Sequence, residues 1–257
     1  MTPTRLELAG LTVRIVGPAD APTTCVLLHG FGAAGDDLVG LADVLDGRGP
    51  EIGGGDGSAG GAGGNAPRGV TGPVQFVFPE APLALGGLYG DARAWWMLDL
   101  ARLEDDLRRG VPRDRRDEVP DGLVAARGLV TQLVDQLAAR RPATAPRIVL
   151  GGFSQGAMLA LDVALHRAAP PAGLILMSGT LIAEAEWQPR LASLAGVPVM
   201  LSHGRQDGLL PFGTAELLRD RLGAAGAAVD WQPFAGGHEI PPSVTDAAGK
   251  LLRAVAG

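Results

Sequence analysis

Residues 147–162 read Arg-Ile-Val-Leu-Gly-Gly-Phe-Ser-Gln-Gly-Ala-Met-Leu-Ala-Leu-Asp, a pattern that predicts a buried strand, a sharp turn and a helix. The turn contains Gly152-Phe-Ser-Gln-Gly156, which fits G-x-S-x-G, a motif that places a serine at the apex of a strained turn. Its glycines have no Cβ atoms to collide where the strand turns into the helix. The stretch predicts that Ser154 presents its hydroxyl as a nucleophile, although a plain strand-turn-helix would also explain the motif taken alone.

The composition is that of a globular protein with a substantial core. The chain has 257 residues, of which 46% are hydrophobic, so it could form one large α/β domain or two small ones. We expect a single domain over residues 1–257. The formal net charge is −6 and charges of both signs are scattered along the chain, which leaves no basic stripe for a phosphate backbone. A nucleic-acid partner is therefore not expected.

Cys25 is the only cysteine, so an internal disulfide is excluded and a buried, unreactive thiol is the simplest interpretation. The first residues lack the basic start and apolar core of a signal peptide, and no apolar run reaches membrane-spanning length. We expect a cytoplasmic protein without stable membrane insertion. The sequence is compatible with either a monomer or a homodimer.

Strand patterns alternate with helix patterns along most of the chain. Strands are predicted at residues 11–16, 25–29, 74–78, 147–153, 174–177, 197–202 and 229–233, with helices at 38–45, 121–140, 187–194, 214–222 and 243–255 and after Ser154. Such alternation predicts an α/β fold with a mainly parallel central sheet and helices on both faces. No separate lid domain is expected.

Two segments stand outside this pattern. Between residues 47 and 72, 12 of 26 residues are glycine, which leaves too few side chains to bury and too much chain entropy to order. We expect a disordered surface insertion there that does not divide the domain. The charge-dense segment 100–120 is interpreted as a solvated helix and turn without a chemical role.

A serine hydroxyl is a weak nucleophile near neutral pH and needs a base in contact, usually a histidine. Of the four histidines, His238 is the candidate, because it follows the last predicted strand and lies with Ser154 at the carboxyl ends of the strands. The other three are expected to form local hydrogen bonds or to pack away from the site: His29, His166 and His203.

The histidine in turn needs a carboxylate that fixes its tautomer. Asp207 follows a predicted strand and gives the chain order Ser, Asp, His, which is the order of the α/β-hydrolase arrangement. Asp230 lies within a predicted strand and Glu239 lies beside the histidine, so either is a poorer geometric choice.

The oxyanion formed during acyl transfer needs preorganised N–H donors. One is the N–H of Gln155 at the predicted helix start. The second is expected from the glycine-rich turn His29-Gly-Phe-Gly32, with the N–H of Phe31 as the donor. That turn on its own would also fit a simple loop between a strand and a helix.

Five motifs together resemble those of the phospholipase/carboxylesterase family of α/β hydrolases, which includes acyl-protein thioesterases and small bacterial carboxylesterases. They are Leu28-His-Gly-Phe-Gly32, Arg93-Ala-Trp-Trp96, Gly151-Gly-Phe-Ser-Gln-Gly-Ala157, His203-Gly-Arg-Gln-Asp207 and Gly237-His-Glu-Ile240. The resemblance implies Ser154 as nucleophile, Asp207 and His238 as its partners, and Phe31 and Gln155 as oxyanion donors, in agreement with the residue-based assignments.

The resemblance further implies a substrate-binding role for Trp95, and with it for its neighbour Trp96. A core position is an equal alternative for both, because tryptophan buries a large apolar area wherever it can. The expected activity is that of a serine carboxylesterase that uses no cofactor and no metal, acting on small-molecule esters of short to medium acyl length, on lysophospholipids or on acyl-thioesters. The alternatives are a catalytically silent binding protein of the same fold and a peptidase or lactonase with the same triad.

Overall fold

The computed structural model describes residues 2–47, 72–87, 90–110, 113–140 and 146–257. The glycine-rich insertion predicted between residues 47 and 72 lies, apart from its two end residues, outside the described residues. Within the parts of the chain that are described, no helix has the length and apolar character that a membrane crossing requires.

Strands and helices alternate much as the sequence pattern predicts. The strands are β1 (Thr4–Leu8), β2 (Leu11–Val16), β3 (Thr23–Leu28), β4 (Val74–Pro79), β5 (Leu83–Ala84), β6 (Arg93–Ala94), β7 (Arg147–Phe153), β8 (Gly173–Met177), β9 (Pro198–Gly204) and β10 (Ala228–Phe234). The helices are α1 (Leu41–Leu45), α2 (Leu100–Arg109), α3 (Leu123–Ala139), α4 (Gln155–His166), α5 (Glu184–Trp187) with a 3₁₀ helix (Gln188–Leu194), α6 (Phe212–Ala224) and α7 (Pro242–Ala256).

The main sheet has the order β1-β2-β4-β3-β7-β8-β9-β10. The six neighbouring strands β4, β3, β7, β8, β9 and β10 pair in parallel, whereas β2 pairs antiparallel with both β1 and β4. The prediction of an α/β fold with a mainly parallel sheet is confirmed. Strand β1 was not predicted, because it is a short and largely exposed edge strand with only two apolar residues, Leu6 and Leu8.

Alternate side chains of the central strands enter two apolar cores, one on each face of the sheet. In β3, Val26 and Leu28 belong to the core packed against α3 and α4, whereas Cys25 and Leu27 belong to the core packed against α1 and α7. Both faces are therefore covered by helices, as expected for parallel strands. Cys25 is completely buried and this burial raises the pKa of its thiol, which makes it unreactive in the folded protein.

Helix α4 is buried along nearly its whole length and anchors Ser154 at its amino end. Its one carboxylate, Asp162, is fully buried but receives hydrogen bonds from Arg127 at 3.0 Å and from the indole N–H of Trp187 at 2.9 Å. These bonds join α3, α4 and α5 and satisfy a charge that would otherwise be costly to bury. The turn at Ser154 is therefore anchored by a well-packed helix.

Candidate active site

Ser154 forms the turn between β7 and α4. Its backbone has φ 54° and ψ −118°, a strained conformation for a residue with a side chain. The N–H of Ser154 donates to the Met177 carbonyl at 2.9 Å, and its own carbonyl accepts from Ala157 and Met158 in the first turn of α4. The strain is therefore held in place from both sides, as expected for a preorganised nucleophile.

The glycines of this turn have no room for a side chain. A Cβ added to Gly152 would lie 2.4 Å from the Leu28 carbonyl oxygen, and one added to Gly156 would lie 2.0 Å from the same atom. Glycine at these positions lets α4 approach the end of β3, which brings Ser154 beside the turn that follows β3. The G-x-S-x-G pattern thus has a packing reason in this fold.

We expect Gly156→Ala to lower the free energy of unfolding by more than about 3 kcal/mol and to reduce hydrolysis strongly, because backbone atoms of β3 must move to admit the methyl group. Gly128→Ala is the matched control, since Gly128 lies inside α3 and an added Cβ meets nothing within 4 Å. It should be neutral or stabilise by up to about 1 kcal/mol. Denaturant unfolding measures both, and equal stabilities would contradict the packing described for the turn.

His238 and Asp207 form a hydrogen-bonded pair beside Ser154. Asp207 follows β9 and His238 follows β10, and the Nδ1 of His238 donates to Oδ2 of Asp207 at 2.7 Å. The ring of His238 also packs against Phe153, the residue before Ser154, with 4.8 Å between ring centroids. With its proton on Nδ1, the neutral ring leaves Nε2 free to accept a proton.

Asp207 is buried but remains an anion. Burial by itself raises the pKa of Asp207, but the hydrogen bond and charge of His238 and the N–H groups of Leu209 and Leu210 outweigh it. The pKa of Asp207 therefore lies below its ordinary value. Its Oδ1 accepts from those two backbone N–H groups at 2.8 and 3.0 Å, so the carboxylate has a fixed orientation towards His238.

The loops that carry Asp207 and His238 are joined to each other. The N–H of Arg205 donates to the Phe234 carbonyl, and the N–H of Gln206 donates to the Gly236 carbonyl, both at 2.9 Å. A Cβ on Gly204 would lie 2.0 Å from the Gly237 carbonyl oxygen. This close approach of the two backbones fixes the position of Asp207 relative to His238.

The two alternative carboxylates have other partners. Asp230 accepts from the side-chain amide of Gln232 at 2.7 Å, and Glu239 accepts from the N–H of Gly237 at 3.2 Å. Neither bond involves the ring of His238. The geometry thus favours Asp207 over both.

Asp207→Asn should lower kcat by about 10⁴-fold with little change in KM. An amide nitrogen placed against Nδ1 favours the tautomer with the proton on Nε2, which cannot accept the serine proton. Asp230→Asn and Glu239→Gln are the controls and should retain most of the activity. If either control lost as much kcat as Asp207→Asn with its fold intact, the acid would be misassigned.

The predicted oxyanion residues lie at the same site. Gln155 is the first residue of α4, so its N–H has no partner within the helix, and among the described residues no partner is found for the N–H of Phe31. A Cβ built on Gly30 would lie 3.5 Å from the Cβ of Ser154, which brings the turn at Phe31 next to the nucleophile. Both N–H groups are therefore available for an oxyanion at Ser154.

These groups face a cavity of about 620 Å³. Its wall includes Phe31, Ser154, Gln155 and His238. Much of the remainder is apolar: Trp96, Met97, Leu98, Met158, Val119, Ile182, Leu209 and Leu210. The charge-dense segment 100–120 also contributes to this wall, with Arg102, Arg113, Arg115 and Glu118, so its interpretation as a merely solvated helix and turn is corrected. A volume in this range is typical of sites that enclose a small organic ligand.

The two tryptophans play different parts. Both are 1% exposed and belong to the core against α3 and α4, but only Trp96 also lines the cavity, where its substrate-binding role stays a prediction. Trp95 does not line the cavity and donates its indole N–H to the His29 carbonyl at 3.0 Å. The substrate-binding prediction for Trp95 is therefore corrected to the core-anchor alternative.

The remaining histidines form local hydrogen bonds, as expected from the sequence. His29 contacts the Gly30 carbonyl, His166 the Asp162 carbonyl and His203 the Leu210 carbonyl. Sequence reasoning missed that the Nε2 of His203 also lies 3.3 Å from Asp207, and that the side chain of Gln155 binds the backbone of Trp95 and Trp96. The pattern of the motifs contains no signal for either contact, since both depend on how separate loops pack.

No group of three or more His, Cys, Asp or Glu side chains with metal-binding geometry occurs among the residues that the structure describes. Ser154 and His238 on the cavity wall supply a hydroxyl and an imidazole, and Asp207, bonded to His238, supplies a carboxylate. These are the groups needed to activate a nucleophile by proton transfer.

The chain is similar to known proteins over most of its length. A family model described as Phospholipase/Carboxylesterase matches residues 55–256. Acyl-protein thioesterase 1 of Gibberella zeae is 26% identical over 185 residues, which cover 70% of this chain and 76% of that protein. The crystal structure of esterase PE8 covers 99% of this chain and 100% of its own, with a TM-score of 0.70 and 25% identity. A carboxylesterase from Mesorhizobium loti shares the fold with a TM-score of 0.68 at 17% identity, covering 97% of this chain and 98% of its own.

Proposed function

The chain belongs to the phospholipase/carboxylesterase family, and from that premise we propose that it is a carboxylesterase that forms an acyl-enzyme on Ser154. The observation that supports this most is the position of His238, which shares a cavity wall with Ser154 and is bonded to the buried Asp207. Those three groups have the roles required for serine hydrolysis. Ser154, Asp207 and His238 are the proposed triad.

In the acylation half of the reaction, the Oγ of Ser154 attacks the ester carbonyl carbon while Nε2 of His238 takes the serine proton. The carbonyl oxygen becomes an oxyanion, which the N–H groups of Phe31 and Gln155 stabilise. Each such donor contributes on the order of 3 kcal/mol to lowering the barrier. His238 then gives its proton to the leaving alcohol as the ester C–O bond breaks, which leaves the acyl group on Ser154.

In the deacylation half, water replaces the alcohol. His238 takes a proton from the water while the water oxygen attacks the acyl carbon. The acyl carbonyl oxygen becomes a second oxyanion, which the same two N–H groups stabilise. The proton then returns to Ser154 as the carboxylic acid leaves. Asp207 stays ionised throughout and stabilises the imidazolium that forms twice in the cycle.

The apolar wall of the cavity supports an acyl chain of short to medium length as the preferred substrate. Each buried methylene contributes about 0.8 kcal/mol, so kcat/KM should rise about fourfold per added methylene until the wall is covered. Longer chains would extend into water and gain nothing further. Trp96 and Met97 lie where such a chain would pass.

Thioesters are a second class of substrate for the same groups, since a thiol leaves from the same tetrahedral intermediate. The relatives named acyl-protein thioesterase 1 favour this class, and lysophospholipids offer a comparable acyl ester. Peptide and lactone hydrolysis would use the same triad. A silent binding protein of this fold is disfavoured, because it would have no need for the paired and preorganised side chains around Ser154.

The test is a substrate panel measured with the purified full chain. It comprises nitrophenyl esters of graded acyl length, an acyl-thioester, a lysophospholipid, a peptide amide and a lactone. We expect the highest kcat/KM for soluble esters of short to medium length, with slower turnover of the thioester and lysophospholipid. No turnover of any ester or thioester would overturn the proposal, whereas preference for the peptide or lactone would replace the reaction class.

A further inference from the structure

His29 begins the turn that carries Phe31, and its side chain takes no part in the proton transfers of the proposed reaction. Its side chain is buried, with 2% exposure, and its two ring nitrogens have different partners. Nε2 receives the backbone N–H of Ala81 at 3.0 Å, and Nδ1 lies 2.8 Å from the Gly30 carbonyl oxygen. Because a backbone N–H can only donate, Nε2 carries no proton, and the ring proton is on Nδ1 and is donated to Gly30.

This 2.8 Å bond is the shorter of two to the Gly30 carbonyl, which also accepts from the N–H of Ala33 at 3.4 Å, and it controls the direction of a neighbouring N–H. The Gly30 carbonyl and the Phe31 N–H belong to the same planar, trans peptide unit, so they point in opposite directions. Holding the carbonyl on one side therefore aims the N–H to the other. The next peptide unit is held as well, because the N–H of Gly32 donates to the Arg93 carbonyl at 2.9 Å. Both peptide planes that flank Phe31 are fixed.

One circuit of hydrogen bonds joins the two peptide units that flank Phe31. The N–H of Ala81 donates to His29, the guanidinium of Arg93 donates to the Ala81 carbonyl at 3.0 Å, and the N–H of Gly32 donates to the Arg93 carbonyl. The guanidinium of Arg93 is held in turn by Glu80, with 3.3 Å between Nε and Oε2. Glu80 is 6% exposed, so this ion pair is partly protected from solvent and holds the circuit in place.

Further hydrogen bonds link this circuit to Gln155, the second oxyanion donor. The indole N–H of Trp95 donates to the His29 carbonyl at 3.0 Å, and the backbone N–H of Trp95 donates to the side-chain oxygen of Gln155 at 2.9 Å. The side-chain amide of Gln155 donates to the Trp96 carbonyl at 2.9 Å. The turns that carry Phe31 and Gln155 are thus tied to one another through Trp95.

We propose that His29 is a positioning residue of the oxyanion hole, whose Nδ1–H holds the Gly30 carbonyl and thereby aims the Phe31 N–H at the oxyanion. The inference rests on the proposed esterase function, since an aimed N–H matters only if an oxyanion forms at Ser154. The aimed N–H stabilises the oxyanion of the transition state more than the carbonyl oxygen of the bound ester. A change at His29 should therefore act on kcat and leave KM nearly unchanged.

Two amide variants separate the bonds of the ring. His29→Asn places its amide nitrogen near the position of Nδ1 and can still donate to Gly30. His29→Gln reaches the position of Nε2 and can still accept from Ala81 but cannot hold Gly30. We expect His29→Gln to lower kcat by about 10- to 100-fold, less than the 10²- to 10³-fold caused by deleting a donor. His29→Asn should retain at least ten times more kcat than His29→Gln.

Affinity for a trifluoromethyl ketone with a short alkyl chain gives a second reading, because its adduct with Ser154 places an oxyanion in the same hole. That affinity should fall in parallel with kcat across the two variants, at unchanged KM. His166→Gln is the control for replacing a histidine away from the cavity and should keep wild-type kcat. Equal kcat for the Asn and Gln variants, or a loss confined to KM or melting temperature, would overturn the positioning role.

A measurement on the unmodified protein covers the case in which a variant does not fold. Nitrogen-15 NMR of the wild-type protein, with the signals of the four histidine rings assigned individually, should find the His29 ring neutral, with its proton on Nδ1 and in slow exchange with water. A His29 ring protonated on Nε2 instead would overturn the proposal. Absence of ester and thioester hydrolysis by the wild type would overturn the proposed function instead. That activity is measured with the substrate panel, separately from the NMR experiment.

Discussion

Ser154→Ala is expected to abolish hydrolysis, with a fall in kcat on the order of 10⁶-fold. The substitution removes only the attacking oxygen, because alanine keeps the Cβ and therefore the same backbone strain at φ 54°. The cavity, the His238–Asp207 pair and both oxyanion donors remain. We expect an unchanged circular dichroism spectrum, a melting temperature within a few degrees of wild type and no burst of alcohol release from a chromogenic short-chain ester.

Ser178→Ala is the matched control for this change. Ser178 is a second serine with positive φ at the end of a neighbouring strand, and its hydroxyl donates to the Glu239 carbonyl at 3.3 Å. Loss of one such hydrogen bond corresponds to no more than about tenfold in rate. Substantial turnover by Ser154→Ala, or a comparable loss in Ser178→Ala, would contradict the assignment of the nucleophile.

His238→Ala should reduce kcat almost as far as Ser154→Ala, since the serine is a weak nucleophile without a base. The double variant Ser154→Ala/His238→Ala should be no slower than either single variant, because residues that act as one unit are not additive. Losses that add in the double variant would show that His238 acts independently of Ser154.

A stability measurement accompanies this prediction. His238→Ala removes the 2.7 Å bond to Asp207 and the packing on Phe153, so the anionic Asp207 keeps the N–H groups of Leu209 and Leu210 and the 3.3 Å contact with Nε2 of His203. A loss of about 1–3 kcal/mol in the free energy of unfolding is expected. Unchanged stability would indicate that the pair is not formed in solution.

Much of this site could be predicted from the sequence, because the parallel strands place their carboxyl ends along one edge. Ser154, Asp207 and His238 each follow a strand with a clear apolar pattern, so their convergence needed only the fold class and the strand positions. The glycines around Ser154 gave a further signal, since the close approach of α4 to β3 permits no Cβ.

The supporting contacts could not be predicted, because they depend on tertiary packing that has no local pattern. Trp95 and Trp96 are adjacent, chemically alike and both buried in the core, yet only Trp96 also lines the cavity. The bond from Ala81 to His29 joins segments 52 residues apart in the sequence, and the pairing of Glu80 with Arg93 closes the loop between β4 and β6. Edge strand β1 has too few apolar residues for its pattern to be recognised.

The central claim is that a single activated serine carries the acyl group, and covalent labelling tests it most directly. The full chain is treated with a fluorophosphonate, and the site of the adduct is identified by peptide mass spectrometry. We predict one adduct, on Ser154, that forms in parallel with loss of esterase activity, is absent from Ser154→Ala and forms far more slowly in His238→Ala. An adduct on a different residue, or full inactivation without an adduct on Ser154, would contradict the account.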